Sequence, residues 1–464
     1  MSPDVTPPVT PPATPPDSPD YSQRATATYM VGTYLAANAI EDAYLLVEGP
    51  DCAHMKTQYV QGNHDWLSTL TSVSGHHRVA NTALHPAHMT RSREGSVRDA
   101  LTRLASNPAT GGVLLTSMPM AFVTGADYEA LCREVGEATG KTPVHVPGKS
   151  LSGDWLDGYA ETLLALARQV DLDGGTPDAR KVAIVGHLFD RNEEDQRGNV
   201  RELRRLLSGL GLEVVSVWLE GQRFADLGAA RDAGLVLSFP YARRAARIVA
   251  RRTGARLVEC ALPFGLPATE AWLRQVGEAI GEPAAAEALV ERELSEVVPR
   301  FEWVVPFRLQ GRRFGYVGDP HLLQGFLDTT ALVGASASFV VCPDHARAEY
   351  GVRQRVPADV PVLQFPRMST LRRFLVSNAA ERGIDLLVSN NTGLSFLDTA
   401  FVEFGYPSFH THCLYDRPFL GVRGAAAFLD TLANALAQHE LFCTLGAMRR
   451  SAGSSTARAP VRPM

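Results

Sequence analysis

Short apolar runs alternate with amphipathic stretches along this chain, and the alternation starts afresh three times. Ala43–Val47, Gly112–Leu115 and Pro143–Val146 read as buried strands. Helical patterns separate them at 97–105, with Val97, Leu101 and Leu104 on one face, and at 126–138. A second round opens at Val182–Gly186 after the loop Asp171–Pro177. It continues through helix 199–210, strands Glu213–Trp218 and Gly234–Ser238, helix 241–253 and strand Arg256–Glu259. The third round opens at Arg312–Val317. Helix 320–333, strands Ala337–Val341 and Val360–Gln364, helix 367–382 and strand Asp385–Ser389 follow. Strands alternating with helices of this length predict an α/β protein of parallel sheets with right-handed crossovers. In such sheets ligands bind outside the carboxyl ends of the strands, so the strand exits are where chemistry belongs. The rounds predict units at 25–176, 177–300 and 301–446. Outside them, residues 1–24 carry eight prolines in Thr-Pro-Pro and Ser-Pro repeats and 447–464 are rich in Ser, Ala and Arg, so both ends read as disordered tails.

The first strand exit stands out. The apolar run stops at Gly49-Pro50, and a lone cysteine, Cys52, follows Asp51 where the next helix begins. Backbone N–H groups at a helix start favour negative charge, which suits a thiolate serving as metal ligand, nucleophile or redox sensor. A small buried hydrophobe is the plainer role for any single cysteine. Two glycine-bearing fragments do not make phosphate loops. In Gly136-Glu137-Ala138-Thr139-Gly140-Lys141-Thr142 the glycines enclose three residues instead of four, and the fragment follows a helix rather than a strand. Gly140 reads as a helix C-cap. Pro147-Gly148-Lys149-Ser150 lacks the upstream glycine, so ATP binding on this chain is not expected. Histidines crowd 54–88 (His54, His64, His76, His77, His85, His88) without an HExxH spacing, as surface loops or a zinc site would. Downstream, His410 and His412 flank Thr411 ahead of Cys413, either as an incomplete metal set or as a loop lining a pocket between domains.

Composition narrows the class. With 464 residues, 45% hydrophobic and 20% charged, the chain predicts several soluble globular domains. A net charge of −5 gives no electrostatic case for nucleic acid or an anionic membrane. Six scattered cysteines without a CxxC, no long apolar run and no signal-like start point to a reducing cytoplasm.

The strand–Gly-Pro-x-Cys–helix start at 43–54 resembles the cluster-cysteine motif of the nitrogenase component 1 family. That family includes nitrogenase, the dark-operative protochlorophyllide reductases and related cofactor-assembly scaffolds. Val113–Pro119 leading to Gly125-Ala126-Asp127, the run Ser150–Tyr159, the restart at Val182–Gly186 and the stretch Pro361–Pro407 are similar to the family in order and spacing. The resemblance covers about 25–438. It implies three Rossmann-like doubly wound domains and a dimer or heterotetramer with a homologous partner subunit. It also implies an iron–sulfur cluster near a subunit interface, with electrons from a separate ATP-hydrolysing iron protein. Carried over, Cys52 is the cluster ligand, with Gly49, Pro50, Asp51, Thr116 and Ser117 around the cluster. Thr116-Ser117 stands where fuller members have a cysteine, and no cysteine precedes Cys52. One thiolate cannot hold a [4Fe–4S] cluster alone, so the resemblance implies either a lost cluster or one shared with another chain. In a symmetric homodimer, two copies of Cys52 would meet with Asp51 or His54 as further ligands. Ser238-Phe239-Pro240-Tyr241 lacks the cysteine, and Leu420 replaces the histidine, expected around the nitrogenase cofactor. Dinitrogen reduction is therefore not expected. The expected role is an oxidoreductase subunit reducing another substrate, with His410, His412 and Asp416 as proton donors. A non-catalytic cofactor or tetrapyrrole scaffold, or a structural partner subunit, is the alternative.

Overall fold

The computed structural model describes residues 20–71, 77–149 and 152–456. The tail over 1–19, His76, Ser150-Leu151, the last eight residues and the His54 side chain lie outside the described part. Among the described residues thirteen strands form three sheets, every strand pairing parallel. The first holds β1 (Ala43–Glu48), β2 (Val79–Asn81), β3 (Gly112–Ser117) and β4 (Val144–His145) in the order β2-β1-β3-β4. The second holds β5 (Asp178–Val185), β6 (Glu213–Val217), β7 (Ala233–Ser238) and β8 (Arg256–Glu259) in the order β6-β5-β7-β8. The third holds β9 (Arg313–Val317), β10 (Ser336–Cys342), β11 (Val362–Gln364), β12 (Leu386–Ser389) and β13 (Ala400–Glu403) in the order β11-β10-β9-β12-β13. In each sheet the winding reverses beside its first strand, between β1 and β3, β5 and β7, and β9 and β12. The exits of these pairs are the clefts where a doubly wound sheet takes ligands.

The three all-parallel sheets bear out the expected α/β fold class. Gly140, at φ +72°, caps the helix Tyr128–Thr139 with its N–H on the Gly136 carbonyl, as its position predicted. Two short strands, β2 and β13, carry too few residues for an alternation to show. The helices Tyr29–Asn38, Leu266–Ile280 and Pro283–Val297 also escaped the pattern. Tyr29–Asn38 is buried all round, so no polar face marks its period. At the ends, residues 20–24 are tied to the third unit, with Met368 N–H on the Gln23 carbonyl and Arg24 4.3 Å over the Phe365 ring. The last helix, Gly421–Thr456, runs past residue 447.

One crossing binds the units. The helix Trp155–Gln169 opens with a capping box, in which Asp154 accepts from Leu156 and Asp157 N–H while Asp157 accepts from Asp154 N–H. It lies directly on Tyr29–Asn38. A Cβ at Gly158 would sit 1.9 Å from the Tyr29 carbonyl oxygen, and one at Gly32 1.8 Å from that of Trp155. Only glycine permits that approach.

Gly158→Ala is expected to lower stability by about 1–3 kcal/mol, because the neighbouring atoms are backbone and cannot yield. Gly95→Ala, in open space on the helix Glu94–Ala105, is expected to hold stability or raise it by up to about 1 kcal/mol. Thermal unfolding of both variants checks this, and an equal effect at the two sites contradicts the crossing.

Candidate functional site

Cys52 sits at the carboxyl edge of the first sheet. β1 is fully buried, and its exit is fixed by three hydrogen bonds to two crossing segments. Met118 N–H donates to Glu48 O (2.9 Å), Leu84 N–H to Gly49 O (2.9 Å), and Gly49 N–H to Thr82 Oγ1 (3.2 Å). The chain then turns at Pro50, whose carbonyl accepts from Ala53 N–H, and the helix Cys52–Tyr59 begins. Tyr34, fully buried, donates its hydroxyl to Ala53 O at 3.2 Å and so holds the first turn. Cys52 is exposed, and Asp51 accepts from the Asn81 amide at 3.3 Å. Thr116 and Ser117 end the neighbouring β3 but are buried, and their hydroxyls have no partner. Glu48, one residue before Gly49, is a buried carboxyl. Burial raises its pKa, against the Tyr128 hydroxyl bonded to it and the nearby Arg93.

The Cys52 helix leads straight into a π turn, Val60–His64, and that turn ends at the junction of all three units. Ser408 N–H donates to His64 Nδ1 (3.1 Å), leaving Nε2–H for the Asp190 carbonyl (3.1 Å). Burial, helped by Arg191, pushes the His64 pKa down to about 4, so the ring is neutral. The next residue, Asp65, accepts from the Asn38 and Asn192 amides at 2.7 and 2.9 Å. From the other side Glu193 takes His412 Nδ1 (2.8 Å) and Cys413 N–H (2.7 Å), while Arg191 donates to the Thr411 carbonyl (2.8 Å). Glu403 receives the N–H groups of Phe409, His410 and Thr411 at 2.7, 2.9 and 2.7 Å.

These contacts decide how the three expected proton donors stand. His412 lines a cavity of about 130 Å³ with His64, Asp190 and Tyr241. His410 is exposed, and Asp416 is exposed on a different groove and paired with Arg201 at 3.0 Å. The loop therefore does not bring the three together. A second cluster lies at the exits of β7 and β9. Tyr241 donates to Asp319 at 2.6 Å, and His321 packs edge-on against Tyr241 with ring centres 4.7 Å apart. Burial pushes the Asp319 pKa up to about 6 and, together with Arg355 and Arg243, the His321 pKa down to about 3.

Among the described residues, the one cluster of His, Cys, Asp or Glu close enough to share a metal is Asp154, Asp157 and His345, which includes none of the histidines of 54–88. Its carboxylates are already engaged: Asp154 by Leu156, Asp157 and His345 N–H, and Asp157 by Asp154 N–H and the Arg347 guanidinium. The cluster ties a helix start to the third unit. Glu48, Tyr241 and Asp319 went unnoticed in the sequence as chemistry. Each lies at a strand exit, and a carboxylate closing an apolar run such as Ala43–Val47 was the available signal.

Glu403 is held below its usual carboxylate pKa by the Phe409, His410 and Thr411 N–H groups despite the opposing effect of burial. A depressed pKa stabilises the fold above the unfolded value and loses that contribution as pH falls through the folded one. Glu403→Gln is expected to cost about 1.5–3 kcal/mol near neutrality. Denaturant titrations should show the wild-type advantage closing below pH 4.5, the ordinary value. An advantage independent of pH contradicts the carboxylate's role.

Residues 28–437 match the family model described as "Nitrogenase component 1 type Oxidoreductase". The vanadium-iron nitrogenase beta chain of Trichormus variabilis is 22% identical over 87% of this chain and 91% of its own. The molybdenum-iron nitrogenase beta chain of Azotobacter vinelandii is 24% identical over 74% and 71%. A light-independent protochlorophyllide reductase subunit of Methylobacterium sp. is 31% identical, over 36% and 35%. A solved structure titled "Nitrogenase Cp1 at pH 6.5" superposes with a TM-score of 0.74, covering 92% of this chain and 95% of that one at 17% identity. No helix among the described residues is long and apolar enough to cross a membrane. Three parallel sheets in this order, with a cysteine at the exit of the first and a family match over nearly the whole fold, lead to one conclusion: the chain belongs to the nitrogenase component 1 type oxidoreductase family.

Proposed function

We propose that this chain is a nitrogenase-like oxidoreductase subunit that helps hold an iron–sulfur cluster between subunits. In this reading a separate ATP-dependent iron protein supplies electrons, the substrate is not dinitrogen, and the assembly works in the cytoplasm. The observation that carries the reading is the placement of Cys52. It is an exposed thiol on a braced strand exit, whereas Cys132, Cys260, Cys342 and Cys413 are buried and Cys443 lies on the last helix. Burial pushes the Cys132 and Cys260 thiols up to about 12, so they are inert packing.

The donor set fits one share of a [4Fe–4S] cluster and does not fit a whole one, which takes about four ligands. Thr116 and Ser117 are closed in, so remaining thiolates would come from a homologous partner chain or a second copy. An exposed apolar side chain on the Cys52 helix, Met55, supports a docked partner. Trp66, Leu67, Leu414 and Tyr415 are exposed as well, with the Trp66 ring tilted against His412 at 4.1 Å. When bound, the cluster would supply single electrons at low potential.

The chain's own residues place the protons. Tyr241 lines the 130 Å³ cavity and also a larger one of about 1010 Å³. Its hydroxyl is hydrogen-bonded to Asp319, whose carboxyl pKa burial pushes up to about 6, so the pair can hold and pass a proton at the Tyr241 oxygen. His412 can do the same at the smaller cavity. The strand exit Ser238–Tyr241 carries no thiol, and Leu420 is buried in a bridge to Phe264, so the nitrogenase-type cofactor lacks its protein ligands here.

The test is anaerobic purification of the chain, alone and with its partner, followed by iron determination and EPR of the dithionite-reduced protein. Cys52→Ser is expected to lose most of the bound iron and the reduced-cluster signal while keeping the wild-type Tm, since the side chain is exposed. Unchanged iron in the variant, or none in the wild-type assembly, rejects the cluster role.

A further inference from the structure

The 1010 Å³ cavity opens where the exits of β7 and β9 meet the helix Trp155–Gln169. One wall is apolar, formed by Leu156, Ala160, Leu164, Leu262 and Ala268. The rest is cationic. Lys149, Arg243, Arg244, Arg247, Arg347 and Arg355 line it, against three carboxylates, Asp157, Glu161 and Glu349. The chain as a whole carries −5, so this surplus is local and opposite in sign to the molecule.

Most of these cations already have partners. Lys149 and Arg244 share Glu161 at 2.9 and 2.8 Å, Arg347 pairs with Asp157, and Arg247 and Arg243 share Glu259 at 2.7 and 3.8 Å. Arg355 is the exception. Its Nη2 donates only to the carbonyls of Pro320 (2.9 Å) and Tyr350, and its Nε is buried with no partner. Among the described residues no carboxylate lies within ion-pair distance of it. Half-buried and lining the cavity, this guanidinium is open to an anion there. Next to it His321, lodged edge-on between Tyr241 and Tyr350, is neutral and adds a hydrogen-bonding ring without adding charge.

We propose that this cavity binds an amphipathic organic anion, its carboxylate on Arg355 and its apolar body against Leu156, Ala160 and Leu164. The wall and the cation lie in one cavity of sufficient size for a ligand of a few tens of non-hydrogen atoms. That this anion is the substrate rests on the reductase reading above. That the cavity binds it does not. In the substrate role, its reacting part would lie by the Tyr241 hydroxyl, away from the carboxylate anchor.

Fluorescence titration of the iron-free full-length chain with 1-pyrenebutyrate and with its methyl ester tests the site without any cluster or partner. The acid is expected to bind at least tenfold tighter than the ester. Arg355→Gln should bring the acid down to the level of the ester and leave the ester unchanged. Ala160→Trp, which fills the apolar wall, should weaken both at least tenfold. Arg300→Gln, in another groove, should change neither. Equal binding of acid and ester by the wild type overturns the proposal, as does an acid preference that survives Arg355→Gln. If Arg355→Gln does not fold, Ala160→Trp decides, and unchanged binding there overturns the site. Because no iron is involved, failure here leaves the Cys52 reading standing, and loss of the Cys52 reading leaves this one standing.

Discussion

The fold depends on the first two turns of the helix Trp155–Gln169. Trp155 Nε1 donates to Asp344 at 2.9 Å, and Asp154 accepts from His345 N–H at 2.7 Å, which fastens the helix start to the exit of β10. One turn on, Tyr159 donates to the His187 carbonyl at 2.8 Å and accepts from Phe189 N–H at 3.1 Å, which fastens it to the exit of β5. Between them Gly158 lets Tyr29–Asn38 approach backbone to backbone. Apart from His345 these groups are buried, so each broken bond would leave a polar atom stranded in a low-dielectric interior. The second and third sheets are thereby made to present exits to a common space, and the same helix supplies the apolar wall of that space.

That arrangement exposes some strand exits and hides others. The exit of β1 reaches the surface and carries the thiol, while the exits of β7 and β9 face inward and carry Tyr241, Asp319 and His321. The helix begun by Cys52 continues into His64, whose ring is clamped by the second and third units. The element that begins at Cys52 is therefore rooted in the interior. In the proposed function, electrons would enter at the surface thiol and protons would be handled at the interior cluster, two separate places in the fold.

Much of this was legible in the sequence. The three β-α rounds, the stop at Gly49-Pro50, the helix cap at Gly140 and the family resemblance all rest on local pattern, and local pattern survives without a structure. The buried helix Tyr29–Asn38 has no polar face to give it away, and β2 is only three residues long. The long-range pairs were out of reach for another reason. Glu193 with His412 and Tyr241 with Asp319 join residues 219 and 78 positions apart, and only the packing of separate sheets creates them. Strand exits predicted where to look, but not which side chains would meet. The sequence offered His410, His412 and Asp416 as candidate proton donors by position alone, and the Glu403 and Glu193 anchors set the different surroundings in which they stand.

The position of iron in the assembly decides the role of Cys52. An anomalous difference map at the iron edge, from crystals of the anaerobically purified assembly, locates it directly. The prediction is iron within bonding distance of Cys52 Sγ, at a boundary between two chains, with its remaining protein ligands supplied by the neighbour. Iron enclosed within a single chain, or an assembly with no iron at Cys52, would contradict it.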